Sequence, residues 1–116
     1  MRLKSKDKQV LEKILDKLTL TDEIVSTLTR EEFLNNKLYN HAAAMVFLNI
    51  GELTKHFTKE FLKQNPQFPI HEMRGLRNIA AHEYDALRFD HIWKTMNTSV
   101  PELKVIINEI LAEDVS

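Results

Sequence analysis

Apolar residues recur along this chain at intervals of three and four, the period of a helix that buries one face. Val10, Leu11, Ile14, Leu15 and Leu18 form the first such stripe, with Lys8, Glu12, Lys13, Asp16 and Lys17 largely opposite. The pattern predicts a helix opening near Ser5, with that serine as its cap, and closing near Leu20, where Thr21, Asp22 and Glu23 could open another turn. Thr29-Arg30-Glu31-Glu32 matches the capping box, in which a threonine and a glutamate three residues later satisfy two orphan amides reciprocally. From there the helical pattern continues through Phe33, Leu34, Leu38, Ala42, Met45, Val46, Asn49, Ile50 and Leu53 to about Phe61, with Asn35-Asn36 as a point of division. Pro66 and Pro69 mark a loop, after which Met73, Leu76, Ile79 and Ala80 predict a helix from near His71. Ser99-Val100-Pro101-Glu102 reads as a last helix start, since proline is tolerated in the first turn. The expected fold is all-α, a single domain over residues 1–116 built as an up-and-down bundle of about four to six helices.

Composition narrows the function. At 43% hydrophobic and 28% charged residues the chain falls in the globular class. It has no cysteine, so neither a disulfide framework nor a thiolate nucleophile can be built. The basic N-terminus lacks the apolar core of a signal peptide, and the longest apolar run, Ala42 to Leu48, is far short of the roughly 20 residues of a membrane span. A soluble, cytoplasmic protein is expected. A net charge of −1 gives no global field for polyanions, so any nucleic-acid contact must be local or created by assembly.

Candidate chemistry concentrates in one stretch. His71-Glu72 and His82-Glu83 begin like a zinc-binding H-E-x-x-H, but Gly75 and Ala86 stand where the second histidine is required, so no metal site is predicted. Phosphate-cradling glycine motifs are absent from the sequence. Gly51, in mid-helix at a cost of about 1 kcal/mol relative to alanine, suggests close helix packing. Phe89 and Trp93, four apart, read as core or interface positions rather than a platform for bases. There remains Arg77 to Asp85, "RNIAAHEYD", with Arg74 one turn earlier. On a continuous helix Arg74, Asn78 and His82 share a stripe, whereas Arg77 and His82 lie about 140° apart. For both to reach one phosphate, the helix must end before His82 or a second copy must complete the site. An imidazole can move protons near neutral pH and an arginine fork can stabilise phosphoryl charge without a metal. A hydrogen-bonded surface pair would have the same spacing.

Arg77-Asn78-Ile79-Ala80-Ala81-His82-Glu83-Tyr84 resembles the R-N-x-x-x-H-x-Y form of the motif of the HEPN superfamily, in its branch of HepT-like toxins. Asn49 to Lys55 is similar to that branch's glycine-glutamate segment, and Ile92 to Lys104 to its tryptophan segment, so the likeness spans roughly residues 5 to 112. Ile70 departs from the tryptophan common after the proline, at a packing position. The resemblance implies a homodimer with two motifs in one cleft, and a metal-independent endoribonuclease that needs no cofactor and leaves a 2′,3′-cyclic phosphate. It gives His82 acid–base catalysis, Arg77 phosphate binding and transition-state stabilisation, and Asn78 a supporting role; Arg74 adds charge nearby. It also implies a type VII toxin–antitoxin pair, whose minimal nucleotidyltransferase antitoxin could transfer AMP to Tyr84. A noncatalytic binding module for such a nucleotidyltransferase is the alternative reading.

Overall fold

In the computed structural model, which describes residues 2–82 and 85–114, the described residues form seven α-helices and no strand. They are α1 (Ser5–Thr27), α2 (Arg30–Asn35), α3 (Lys37–Leu53), α4 (Lys59–Gln64), α5 (Ile70–Ala80), α6 (Asp85–Asn97) and α7 (Ser99–Ala112). Five are long and two are six-residue pieces, consistent with the expected all-α bundle.

Local chemistry sets the boundaries. The Thr29 hydroxyl accepts from the Glu32 N–H, and the Glu32 carboxylate accepts from the Thr29 N–H at 3.0 Å, so the capping box is complete. That backbone hydrogen bond, followed by the one from the threonine side chain, holds the Glu32 carboxyl below the ordinary glutamate range. Asn36 makes the predicted break, its side-chain oxygen accepting from Leu38 and Tyr39 N–H to cap α3. Two expectations at α1 are overturned. Ser5 is already helical and Lys4 holds the cap position without a side-chain bond. The helix also runs past Leu20 to Thr27, because the Thr21 hydroxyl turns inward onto the Leu18 carbonyl and Ile24 prolongs the buried stripe. α3 stops at Leu53 rather than reaching Phe61; a 3₁₀ turn, Thr54–His56, intervenes before Thr58 caps α4.

The core is formed by Val10, Leu11, Ile14 and Leu18 of α1, Phe47 and Ile50 of α3, Met73 and Leu76 of α5, Ile92 and Met96 of α6, and Leu103 and Ile107 of α7. α3 is the central element, packed most extensively on α5 and then on α1. Phe57, Phe61 and Phe68 extend this core to the loop before α5, stacked at 4.5 Å and edge-on at 5.2 and 5.4 Å. Trp93 and Phe89 both pack around Phe33, as their helical spacing suggested.

The helical pattern had not separated two stripes on α3. Ala43, Ala44, Val46 and Phe47 face inward, whereas Leu38, at 84% exposure, and Met45, at 56%, face solvent. Leu38, Met45 and Glu52 are spaced by sevens and so share one side of the helix.

One buried carboxylate joins remote segments. Asp7, in the first turn of α1, accepts from the Thr58 N–H at 2.9 Å and the Thr58 hydroxyl at 2.7 Å, while the same hydroxyl caps α4 by accepting from Phe61 N–H. Asp7→Ala strands two donors at once and is expected to lower stability by about 2–3 kcal/mol in urea unfolding. Asp7→Asn, which keeps one acceptor oxygen, should recover part of the loss; equal stability of the alanine variant and the parent would contradict the role.

Candidate active site

The site is built where α5 ends. The Ala81 N–H donates to the Arg77 carbonyl at 3.0 Å and the His82 N–H to Ile79 at 3.4 Å, a tightening last turn after which the chain leaves the helix. Arg88 of α6 holds this end: its Nη1 donates to the Ala80 carbonyl at 3.3 Å, and its guanidinium lies 4.4 Å from the Phe89 ring centroid. A cation on the last carbonyls is favourable there, since those groups lack helical partners and carry the negative end of the helix dipole. The helix thus ends between Arg77 and His82, one of the two conditions set by their angular separation.

Arg74, Arg77 and Asn78 are exposed on α5. Arg77 is engaged on the α3 side, where its Nε lies 3.0 Å from Glu52 Oε1. No other described residue forms an ion pair with its guanidinium, which leaves the terminal amino groups available to an anion. Glu52 also receives Lys55 Nζ at 3.1 and 3.3 Å. The lysine hydrogen bond, aided by the charges of Lys55, Arg77 and His56, keeps the Glu52 carboxyl below its ordinary range, so it remains a carboxylate partner for arginine at any near-neutral pH.

Gly51 explains how α5 comes this close. A Cβ on Gly51 would sit 2.7 Å from the Arg77 Cβ and 3.5 Å from its Cα. The close packing expected of Gly51 is therefore directed at the arginine itself. His82 is exposed and lines a depression of about 300 Å³ on the α6 side with Leu87, Arg88, Asp90, His91 and Lys94. Asp90 pairs with Arg30 of α2 at 2.6 Å. Tyr84 and the side chain of Asp85 lie outside the described residues.

Sequence reasoning missed two functional neighbours, Glu52 and Arg88. The first left a signal, a glycine followed by a carboxylate, which the structure places in the last turn of α3 rather than in mid-helix; the second left no local signal. The pairing of both depends on how α3 and α6 meet α5, which no local pattern encodes.

A family model described as Ribonuclease HepT-like matches residues 14–110, a span that holds Gly51, Glu52 and the whole Arg77–Tyr84 motif. The chain belongs to that family. "Putative RNase MJ1380" of Methanocaldococcus jannaschii is 32% identical over 97 residues, covering 84% of this chain and 89% of the relative. "Putative RNase TTE0752" of Caldanaerobacter subterraneus is 31% identical over 104 residues, 90% of this chain and 93% of the relative. "Probable ribonuclease HepT" of Thermococcus cleftensis is 29% identical over 102 residues, covering 88% and 93%. No solved structure matches. Among the described residues no helix is long and apolar enough to cross a membrane.

Proposed function

We propose that this HepT-like chain is an endoribonuclease in which Arg77 and His82 act on one phosphodiester. The observation that carries the reading is the end of α5 at Ala80, which frees His82 from the helix while Arg77 stays anchored to Glu52. In the reaction, the 2′-oxygen of RNA attacks the adjacent phosphorus, a 2′-O–P bond forms and the P–O5′ bond breaks. An imidazole takes the 2′-proton and a protonated imidazole supplies one to the leaving 5′-oxygen, leaving a 2′,3′-cyclic phosphate and a 5′-hydroxyl. Arginine stabilises the charge that builds on the nonbridging oxygens.

Within one chain Arg77 is engaged towards α3 and His82 towards α6, so a homodimer that brings two motifs to one seam fits the chemistry better than a monomer. The exposed apolar stripe supports this assembly: Leu38 and Met45 lie in line with Glu52, so a second copy covering them would approach the Arg77 site. Asn78 and Arg74, exposed on the same helix, supply polar and cationic contacts to the substrate.

The decisive experiment incubates the purified chain with RNA in EDTA, alongside an oligonucleotide carrying a 2′-deoxy sugar at the cleavage position. Cleavage of the first to a cyclic phosphate and none of the second is expected; cleavage of both, or of neither, defeats the mechanism. The biological role we infer is that of a toxin restrained by a nucleotidyltransferase antitoxin that can transfer AMP to Tyr84. Intact-mass measurement after incubation with that partner and ATP should show an AMP increment that Tyr84→Phe loses; an increment persisting in Tyr84→Phe would remove the tyrosine as acceptor.

A further inference from the structure

Beside the Arg77–Glu52 pair lies a cleft of about 520 Å³ between α1 and α3 that the catalytic reading does not use. Lys13, Asp16, Lys17 and Leu20 form its α1 wall, and Asn49, Glu52 and Leu53 much of the other. Glu52 is therefore a wall shared with the site, and the cleft opens within one side chain of the guanidinium that would hold the scissile phosphate.

The cleft is lined by Lys13 and Lys17 against Asp16 and Glu52, with His56 beside them, and Lys55 and Arg77 adjoin it as the partners of Glu52. Glu52 is already countered by Lys55 and Arg77, whereas Lys13 and Lys17, four apart on α1, make no ion pair with any described residue. Leu20, 46% exposed, and Leu53 give the cleft an apolar surface, and Asp16 and Asn49 offer groups for a base edge. An apolar wall, a few convergent polar groups and adjoining cations suit a nucleotide, and the volume falls in the range of small-ligand sites, about 300–1,000 Å³.

We propose that this cleft is an RNA subsite that receives the nucleotide next to the scissile phosphate, its backbone phosphate on Lys13 and Lys17 and its base against Leu20 and Leu53. The proposal rests on the ribonuclease reading, but its binding test can fail separately. The probe is a single-stranded oligonucleotide made uncleavable by 2′-deoxy substitution, titrated against the full chain, with a ribo-oligonucleotide of the same sequence for kinetics.

Lys13→Glu/Lys17→Glu should weaken binding of the uncleavable probe at least tenfold and raise KM similarly, with kcat within about twofold of the parent. The salt dependence of log Kd should flatten by about 1.4, the loss of two contacts at roughly 0.7 each for a single strand. Lys59→Glu/Lys63→Glu on α4 makes the same change in net charge away from the cleft and should alter neither Kd nor slope by more than about twofold. Lys13→Ala/Lys17→Ala covers the case in which charge reversal unfolds the chain, and should show the same flattening. An unchanged Kd and slope in the α1 variants would overturn the subsite, as would equal weakening by the α4 control, or failure of the parent to bind the probe. Loss of self-association in the α1 variants by sedimentation would also overturn it, by assigning the cleft to contact between copies. A parent that binds the probe but never cleaves RNA would sink the ribonuclease reading alone.

Discussion

Arg77→Ala and His82→Ala should each, on the proposed mechanism, lower the rate of RNA cleavage by about 10²–10⁴-fold, the scale of losing a positioned proton-transfer group or a preorganised charge on the reacting phosphate. The two losses should differ in kind. His82→Ala removes proton transfer and is expected to reduce kcat while leaving Kd for the uncleavable oligonucleotide nearly unchanged. Arg77→Ala removes a contact to the phosphate in both ground and transition states, so it should weaken binding as well. Arg77→Lys should restore binding more than turnover, because a single ammonium cannot reproduce the fork while its neighbour Glu52 holds one edge. Neither alanine variant should unfold the protein, since both side chains are exposed and surface ion pairs contribute little to stability. Circular dichroism and thermal melts check this. His82→Ala cleaving RNA at the parental rate in a nuclease-free preparation would end the assignment.

How much of this was legible in the sequence follows from the range of each interaction. The Thr29–Glu32 capping box and the Asn36 break involve groups within three residues of one another, so reading them required no knowledge of the fold. The angle between Arg77 and His82 set a condition, a helix end before His82 or a second copy, and the end of α5 at Ala80 meets the first of these. Thr21 was misread for a physical reason: threonine, aspartate and glutamate favour helix starts, but a threonine whose hydroxyl bonds back to its own helix can also sit buried in mid-helix. On α3 the apolar residues cover two sides, and periodicity cannot say which meets the core. Asp7 with Thr58, Glu52 with Arg77 and Arg88 with the Ala80 carbonyl all depend on tertiary placement. The motif and the close packing at Gly51 were thus readable; the side chains that partner Arg77 and the end of α5 were not.

Gly51→Ala tests that supporting layer. In an open helix alanine would gain about 1 kcal/mol over glycine, and Gly75 on α5 provides this reference, since a Cβ there meets nothing within 4 Å. Gly75→Ala should therefore stabilise the protein by roughly 0.4–1 kcal/mol. At Gly51 the added carbon would lie 2.7 Å from the Arg77 Cβ, an atom fixed to the α5 backbone and unable to swing aside. α3 and α5 must separate, and overpacking of this kind costs about 1–3 kcal/mol, enough to cancel the gain in helix propensity or exceed it. The two alanine variants should differ by about 1–3 kcal/mol in urea unfolding, the overpacking cost alone, since each makes the same chemical change. The separation also moves Arg77 relative to Glu52, so Gly51→Ala should lose about tenfold or more in RNA cleavage, as small displacements of a positioned group do, while Gly75→Ala stays near the parent. Equal stability of the two variants would show that α3 and α5 do not need to meet at Gly51. A loss of stability in Gly51→Ala with full activity would instead separate the helix contact from the placement of Arg77.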